Sequence, residues 1–556
     1  MGTGSLMSGS VGTEREFKFD VGADFDPPDL RPLVGRTVRL PEIHHLTEYL
    51  DTADHRLWDR GITLRYRSAA PAGGAEGDAG GEPVAAAVGG AGDGPDGGSG
   101  RWTLKLPVDA GATTAGPTGM SERSELTWDG TRDEVPAAAR RIVAGVVRRA
   151  PLVGIARLEA VRRRLLLQAP DGDEPWGEVD DDLVSITAGP NAGQRFRQIE
   201  IELTGDADPP AGHVDAVVDL MRRAGAAPGG GSKLGMALGL TEPAPPARAA
   251  GKPGSRSRRR APMSAVVSGI LAADLDVVLD CDVRLRRAAE EGGQPEVELI
   301  HRARVGFRRL RAHLRTLDPV LDPVWSRHVR NDLKTVGRAL GRVRDADVLL
   351  ARLAAHQDPE DRDGLEELLH LVSADRALAA GELVPLMAGS GYLDLISRLA
   401  SASVAPPMYS ATVDAPARQA AGPSMHSLVA RRWRRTTAAV AALGPEPSAE
   451  ELHRVRIRAK RLRYAAEAAQ PYIGRDGRRV ARRAKSLQKV LGQVHDSTTA
   501  ISWLRQLGSH PSITPTAAFV AGRIAGQAEA AAGSLGRNWR VSAARLGAKR
   551  LRSGFG

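Results

Sequence analysis

The chain has 556 residues, too many for one ordinary core, and its single cysteine, Cys281, excludes an intramolecular disulfide framework. The start, MGTGSLMSGS, lacks the apolar region of a signal peptide, and no apolar run is long enough to cross a bilayer, which predicts a cytoplasmic protein without a membrane partner. Residues 1–240 contain 26 Lys+Arg and 36 Asp+Glu, whereas residues 241–556 contain 51 and 31. The basic half predicts a polyanionic partner, but aromatic residues are only 4% of the chain, which argues against nucleic acid.

Two patterns divide the chain into a strand half and a helical half. Downstream of residue 262, Ala, Leu, Arg and Glu recur at helical spacing. Upstream of residue 241, polar and apolar residues alternate at period two in EREFKF, ITLRYR, WTLKLP, SERSELTW, AVRRRLLL, WGEVDDDLV and RQIEIEL. The sequence therefore predicts an α+β multidomain protein, with a β-rich domain over 11–240 and an all-α domain over 263–550.

Three segments differ in composition from these halves. Residues 1–10 are predicted to be a disordered N-terminus. Residues 69–100 are rich in Gly and Ala with almost no large apolar residues, which predicts a disordered insertion within a hairpin. Residues 241–262 are Pro-rich and then basic, which predicts a linker where the charge balance changes sign.

The helical half repeats itself. ELIHRARVGFRRLR (298–311) matches EELHRVRIRAKRLR (450–463), and KTVGRALGRVRDAD (334–347) matches KSLQKVLGQVHDST (485–498). Two segments that recur at nearly one spacing indicate a duplication. We therefore expect two helical bundles, at about 263–400 and 425–550, with a loop at 406–424 between them.

Charged residues share one face of each predicted strand, because successive side chains of a strand point to opposite faces. The inward faces of a sandwich should be apolar, whereas a closed barrel can have a polar interior. Converging bases would repel one another without a multiply charged anion, and carboxylates would disfavour that anion without a divalent cation. We therefore expect triphosphate with Mg²⁺ or Mn²⁺ inside a barrel. The alternative is a set of ordinary solvated sheet faces.

The segment EREFKF resembles the ExExK signature of the CYTH domain, the triphosphate tunnel metalloenzymes. YLDTADHRLWDRGITLRYR, WTLKLP, QIEIEL and SKLGMAL resemble later blocks of this family in the same order, so the resemblance covers most of residues 11–240. It implies an eight-stranded antiparallel tunnel with catalytic roles for Glu14, Glu16 and Lys18. The bases that it assigns to triphosphate are Lys18, Arg65, Arg67, Lys105, Arg123, Arg162, Arg164 and Lys233. The acids that it assigns to metal or water are Glu14, Glu16, Glu125, Asp180, Asp182, Glu200 and Glu202.

Two runs leave the inward residue open. In VRRR, alternation selects Arg162 and Arg164, but a bulge would bring Arg163 inward instead. In EVDDD, one residue of 180–182 should bind the metal, and the sequence does not choose among them. Related family members resemble tripolyphosphatases, thiamine triphosphatases, RNA triphosphatases or adenylate cyclases. Because no motif for a base or a thiazole is identified, inorganic triphosphate is the substrate that we expect.

The repeated helices carry basic stripes. At about 100° per residue, one face of each repeat combines histidine with Lys and Arg. The members are His301, Arg304, Arg308, Arg311, Lys334 and Arg338 in the first copy, and His453, Arg456, Lys460, Arg463, Lys485 and Lys489 in the second. Like charges at this spacing destabilise an isolated helix, so their repetition predicts a bound anion. The alternatives are a solvated face and metal ligation by the histidines, which lack partner ligands at suitable spacing.

These repeats resemble the CHAD domain, a helical domain of two repeated bundles that often follows a CYTH domain, and the resemblance covers roughly residues 263–550. It implies that the stripes line a groove for inorganic polyphosphate. One departure is HDST in the second copy where the first has RDAD. The sequence thus predicts a metal-dependent inorganic triphosphatase with a polyphosphate-binding helical domain. The alternative is a non-catalytic polyphosphate-binding protein associated with cytoplasmic polyphosphate granules.

Overall fold

The structure is a computed structural model, and it describes residues 10–69, 99–108, 120–169, 174–203, 212–229, 231–241, 255–409, 420–535, 539–548, 551 and 554–555. The chain divides into two compact units, Met1–Ala249 and Ala250–Gly556. No helix of the described part combines the length and apolarity that a bilayer span requires.

The N-terminal unit is built on one antiparallel sheet. Its strands are β1 (Ser10–Val21), β2 (Arg36–Arg39), β3 (Ile43–Asp51), β4 (Thr63–Ala69), β5 (Ser99–Pro107), β6 (Ser121–Thr131), β7 (Val153–Gln168), β8 (Pro175–Ala188), β9 (Arg195–Leu203) and β10 (Ala227–Pro228). Eight of them follow the order β1-β6-β5-β4-β3-β7-β8-β9, and a further pairing of β1 with β9 closes the ring. The predicted eight-stranded antiparallel barrel is confirmed.

Closure depends on the length of β1. Residues Ser10–Glu16 pair with β6, and residues Arg15–Val21 pair with β9, so one strand bridges both edges. The short strand β2 pairs with β7, and β10 pairs with β1 outside the ring. A closed barrel leaves no open edge within the ring.

Apolar side chains cover the outside of the barrel, because the alternating residues of each strand that do not face the interior are apolar. Phe17 and Phe19 on β1 and Ile199 and Ile201 on β9 are buried together with residues of helix α3 (His213–Arg223) in one cluster. The other helices of this unit are α1 (Arg31–Val34), α2 (Ala137–Val147) and α4 (Lys233–Leu238). The apolar core therefore lies between the barrel wall and its helices, which leaves the interior to polar residues.

The C-terminal unit is helical. Its helices are α5 (Ser255–Arg260), α6 (Met263–Glu290), α7 (Val297–Leu317), α8 (Pro323–Ala354), α9 (Arg362–Gly381), α10 (Leu383–Ala388), α11 (Ser390–Val404), α12 (Ala421–Ala441), α13 (Ala449–Ile473), α14 (Arg475–Gly508), α15 (Pro515–Leu535) and α16 (Trp539–Leu546). The repeated segments form α7 and α13, followed by α8 and α14. One hydrophobic cluster contains residues of both copies, including Leu310 and Leu462.

Three expectations need adjustment. The predicted linker contains α5, which packs against α12 and α13. The predicted insertion 69–100 is shorter than expected, since Ala69 ends β4 and Ser99 begins β5. Strand β3 was not among the seven predicted strands, and it completes the ring. Residues 1–9, 70–98, 242–254 and 410–419, which hold most of the predicted disordered and loop segments, lie outside the described residues.

Candidate functional site

The barrel encloses a cavity of about 860 Å³ that is lined mainly by charged side chains. The lining includes fourteen of the predicted residues: Glu14, Glu16, Lys18, Arg65, Arg67, Lys105, Arg123, Glu125, Arg162, Arg164, Asp180, Glu200, Glu202 and Lys233. Asp182 joins them through ion pairs with Arg162 and Lys233. The structure thus brings together all the residues predicted for the tunnel.

Strand β1 contributes both acids and a base to the cavity. Lys18 lies opposite Glu200 in the register, and its Nζ is 3.0 Å from Glu16 and 3.1 Å from Glu200. Glu14 accepts hydrogen bonds of 2.5 Å from Lys105 Nζ through both carboxylate oxygens. Burial raises the pKa of Glu14, but Lys105 and then Arg65 outweigh it and lower this pKa to about 2. Glu14 is therefore ionised at neutral pH.

On the far wall, Arg162 and Lys233 bind a shared set of acids. Arg162 contacts Asp180 and lies 2.7 Å from Asp182 and 3.4 Å from Glu200. Lys233 lies 2.8 Å from Asp182 and 2.5 Å from Glu200. Lys233 is the first residue of α4, whose N-cap Ser232 accepts a hydrogen bond from Gly235 N–H. The helix start therefore positions this lysine in the cavity.

The remaining bases differ in their pairing. Arg65 lies 3.5 Å from Glu125, and Arg164 binds Glu178. Arg67 donates through Nε to Thr47 Oγ1 at 3.3 Å. Burial, together with the neighbouring Arg65 and Arg162, lowers the pKa of Arg67 to about 10. An anion near Arg67 would relieve this repulsion.

Two overlapping groups of carboxylates have the spacing of a cation site. Glu14, Glu16 and Glu202 form one group, and Asp180, Glu200 and Glu202 form the other, with oxygens within 4.8 Å of one another in each. Burial and then the charges of Glu200 and Glu14 raise the pKa of Glu202 to about 7. Burial raises the pKa of Asp180 to about 8, because Glu202 and Glu178 add to burial and Arg162 does not fully offset them.

These acids fit a hard divalent cation. Carboxylate oxygens are the ligands that Mg²⁺ and Mn²⁺ prefer, and Asp180 Oδ1 is buried without a hydrogen-bond partner. A cation between the groups would remove the repulsion that raises both pKa values. Glu202 belongs to both groups, so the site has ligands for one ion or two.

The geometry also settles which residues of the two ambiguous runs face inward. Arg163 and Asp181 point out of the barrel, where they bind Glu42 and Arg197. Alternation therefore holds through β7 and β8 here, and the alternative with a bulge at Arg163 is wrong. Of the three aspartates, Asp180 belongs to one of the two carboxylate clusters, whereas Asp182 forms ion pairs with Arg162 and Lys233.

Sequence reasoning missed the contribution of β3 to the cavity. His45 and Tyr49 line it at alternate positions with Thr47, which is buried beside Arg67. Burial and then Arg67 and Arg162 lower the pKa of His45 to about 2, so its imidazole is neutral. The period-two pattern HHLTEYLD could have identified this strand. It was missed because the inward residues His45, Thr47 and Tyr49 are neither acids nor permanently charged bases.

In the helical unit, the two stripes converge. Lys460 on α13 lies in the electrostatic field of Arg308 and Arg304 from α7 as well as Arg456 and Arg463. Burial and these guanidiniums lower the pKa of Lys460 to about 6. Burial and nearby arginines also lower the pKa values of His301 and His453. Residues from both repeats therefore form one basic surface.

The duplicated geometry extends to the following helices. Arg304 donates to Gly341 O at 3.2 Å and Asp345 at 2.6 Å on α8, and Arg456 lies over the equivalent Gly492 of α14. Arg311 is near Arg338 and Arg330. Within the described part, no ion pair or hydrogen bond joins Lys334, Lys485 or Lys489 to this surface. The side chain of Asp496, the counterpart of Asp345, lies outside the described residues.

Comparisons with known proteins agree with this division. The family model of the CHAD domain matches residues 269–505. An uncharacterized protein of Mycobacterium tuberculosis strain H37Rv is 29% identical over 517 residues, which cover 89% of this chain and 88% of the relative.

Two solved structures resemble separate parts of the chain. The CHAD domain from the plant Ricinus communis covers 53% of this chain and 94% of its own length, at 24% identity and a TM-score of 0.43. A Hippeastrum protein described as having a dominant triphosphatase activity covers 40% of this chain and 94% of its own, at 15% identity and a TM-score of 0.26. The helical unit of the chain therefore contains a segment that matches the CHAD domain model, and a closed eight-stranded antiparallel barrel precedes it.

Proposed function

We propose that the N-terminal unit is a divalent-metal-dependent triphosphatase that hydrolyses a P–O–P bond of inorganic triphosphate. The observation that carries this proposal is a pair of carboxylate clusters that share Glu202. These clusters face a ring of bases inside one closed barrel. A multiply charged anion is the ligand that converging arginines and lysines favour, and the acids fit the cation that such an anion brings.

The bases would bind and orient the phosphate chain. Arg67 has no carboxylate partner among the described residues, and Arg65 is 3.5 Å from its own, so both can donate hydrogen bonds to phosphate oxygens at little cost. Lys18, Lys105 and Arg162 would exchange carboxylate contacts for phosphate contacts. The planar guanidiniums of Arg65, Arg67 and Arg162 suit two-point contacts with phosphate oxygens.

The acids supply the rest of the site. Glu14, Glu16, Asp180, Glu200 and Glu202 would hold Mg²⁺ or Mn²⁺, which supplies neutralisation of charge on the phosphate oxygens. A carboxylate of this set or Lys18 Nζ would orient the attacking water in line with the terminal phosphorus. Glu16, Asp180 and Glu200 are buried in the cavity wall, and burial strengthens their charge interactions.

A second function, binding of inorganic polyphosphate by the helical unit, is supported by the convergence of the stripes. Lys460 lies in the electrostatic field of Arg308, although the two residues come from different repeats. No carboxylate of the described residues forms an ion pair with Lys460. A long polyanion that contacts both repeats at once would compensate these charges, and it would localise the tunnel near a phosphate source.

The proposal is tested with Glu16→Gln, which is nearly isosteric but removes one charge from a carboxylate group. We expect turnover of triphosphate to fall at least on the order of 10²-fold, because a preorganised charge in the site is lost. The control is Glu159→Gln, an exposed residue of β7 that should retain full activity. Phosphate release measures both. Unchanged turnover in Glu16→Gln would leave the tunnel as a binding site only.

A further inference from the structure

The two repeats of the helical unit differ in charge at one equivalent pair of helices. In the first repeat, Asp274 of α6 is 2% exposed and binds α7 through Arg309 Nε at 2.7 Å. His313 Nδ1 lies 2.5 Å from the other carboxylate oxygen of Asp274. A buried acid therefore neutralises the bases where these two helices meet.

Burial patterns align α6 with α12. The buried residues Val267, Leu271, Leu275 and Val278 correspond to Met425, Val429, Trp433 and Thr436, at a constant separation of 158 residues. The same separation places Arg432 at the position of Asp274. The repeated motif independently places Arg461 of α13 at the position of Arg309, 152 residues earlier. An acid–base pair in the first repeat is thus an arginine–arginine pair in the second.

The structure brings these arginines together with a third. Arg432 donates through Nη2 to the backbone carbonyl of Arg315 at the end of α7. Both Arg432 and Arg461 lie in the field of Arg315, and burial and neighbouring arginines lower the pKa of each to about 10. Arg315, Arg432 and Arg461 are called the arginine triad below.

Nothing in the described part compensates the triad. None of its members forms an ion pair with a carboxylate there, and the buried Nε of Arg432 has no hydrogen-bond partner. The other charged groups that lower the pKa values of Arg432 and Arg461 are Arg311, Arg431, Arg435 and Arg458, all of the same sign. Placing like charges close together and leaving the buried Nε of Arg432 unpaired both cost free energy. The sister repeat avoids this cost with one aspartate.

We propose that the arginine triad is an anion site for a phosphate-type oxyanion, whose oxygens take the place that the Asp274 carboxylate has in the first repeat. Three guanidiniums offer planar pairs of donors, the arrangement that phosphate oxygens accept. The triad shares no residue with the basic stripes or the tunnel, so this inference does not depend on the proposed function. The oxyanion can be free phosphate, pyrophosphate or one phosphoryl group of a long chain.

The test uses the full chain with metal chelated, and it measures the unfolding midpoint against pyrophosphate at constant ionic strength. Arg432→Asp recreates the acid–base pair of the first repeat with Arg461. Without pyrophosphate, we expect a higher midpoint than the wild type, by about 2–4 °C. With pyrophosphate, we expect the wild-type midpoint to rise and the midpoint of this variant to rise by less than half as much, because the ligand's place is already filled.

Two further variants separate the site from general charge effects. Arg327→Asp makes the same change in net charge at an exposed position of α8 and should respond to pyrophosphate like the wild type. Arg432→Gln removes one guanidinium without creating an ion pair, and it should also lose the response, which covers the case in which Arg432→Asp does not fold. A full pyrophosphate response in Arg432→Gln or Arg432→Asp would overturn the proposal.

The source of the oxyanion is identified with two more titrations. A response to orthophosphate that Arg432→Gln abolishes would show that a free anion suffices, whereas such a response to long-chain polyphosphate alone would show that the triad binds part of a chain. The same titrations with the stripe residues Arg304, Arg308, Arg456 and Lys460 changed to Ala should retain the effect of Arg432→Gln. Loss of that effect would assign the response to the stripes instead.

Discussion

In the tunnel, Lys18, Lys105 and Arg162 each touch a carboxylate, whereas in the helical unit Lys460 faces arginines from both repeats. The tunnel is therefore neutralised internally, and phosphate entering it alone would leave buried acids without partners. In the helical surface, Lys460 has no carboxylate partner among the described residues, and burial and the arginines around it disfavour its charged form before any ligand binds. Under the proposed function, the tunnel would therefore take up anion and cation together, whereas the helical unit would need only an anion.

The largest effect is expected from removing basic side chains of the helical surface. Combined substitution to Ala of Arg304, Arg308, Arg456 and Lys460 should weaken binding of long-chain polyphosphate at least on the order of 10²-fold, since charged contacts to phosphate are lost. The slope of log K against log salt should fall by about 0.7 for each contact removed, as for flexible polyanions. Binding titrations at several salt concentrations measure both quantities.

The control for this variant changes the same number of basic residues to Ala at exposed positions outside the stripes: Arg327, Arg362, Arg475 and Arg545. This control should retain most of the affinity. Equal weakening in both variants would show that only the total charge matters. Equal affinity of the wild type for duplex DNA and polyphosphate at matched salt would lead to the same conclusion.

The next effect concerns the tunnel and the metal. With the stripe residues changed to Ala, chelation of divalent metal should weaken triphosphate binding at least about tenfold, because Glu200 and its neighbours would be left buried without partners. Polyphosphate binding by a Glu16→Gln chain should be unchanged by the same chelator. Calorimetric titration measures both. If the chelator did not change triphosphate binding, the tunnel and the helical unit would not differ in their need for a metal.

A smaller effect follows from Lys460, whose pKa of about 6 lies far below its ordinary value of 10.5. A bound polyanion favours the charged amine and raises this pKa, so binding takes up a proton between pH 6 and the pKa of the complex. Affinity should be highest below pH 6 and fall as pH rises, by at most about tenfold per unit. Burial and nearby arginines also lower the pKa values of His301 and His453 from the ordinary value of 6.5.

Lys460→Arg tests this pH dependence, because arginine keeps its charge throughout the range. We expect the affinity of this variant to be nearly constant between pH 6.5 and about 8.5, while that of the wild type falls. The pH dependence of folding stability has the opposite sign to that of polyphosphate affinity. Because the folded pKa is depressed, the unfolded chain binds more protons between pH 6 and 10.5, so stability without ligand should rise with pH there.

The smallest effect is expected from the segment between β4 and β5. Replacement of residues 71–97 by a short Gly/Ser linker should leave triphosphate turnover unchanged, because the segment has no pattern of candidate ligands. The boundaries keep Ala69 and Ser99 within their strands. A large fall in turnover would show that the segment takes part in catalysis.

Alternation along single strands was enough to predict most of the tunnel, because period two determines which residues share a face. The rule predicted that Lys18, Glu200, Arg162 and Asp182 face the interior. In the structure, Lys18 lies opposite Glu200 and Arg162 lies opposite Asp182. The rule missed β3, since His45 and Tyr49 were not counted as charged. It could not show that Asp182 is occupied by Lys233, because that contact joins a strand to a distant helix.

The helical unit was predicted less completely for a related reason. The repeated motifs revealed α7, α13 and their stripes, since both copies keep the same residues at the same spacing. Arg432 lies in α12, where the copies differ too much for a motif to be seen. The proximity of Arg432 to Arg461 depends on how α12 packs against α13. Only the pattern of buried residues identified Asp274 as the counterpart of Arg432.

The most direct test of the central claim is phosphate release by the full chain from inorganic triphosphate, ATP, thiamine triphosphate and long-chain polyphosphate. Each substrate is assayed with Mg²⁺, with Mn²⁺ and with chelator. We expect release from inorganic triphosphate that requires a divalent metal and exceeds release from the other three. No release from any substrate with either metal, or equal release in the presence of chelator, would contradict a metal-dependent triphosphatase in the tunnel.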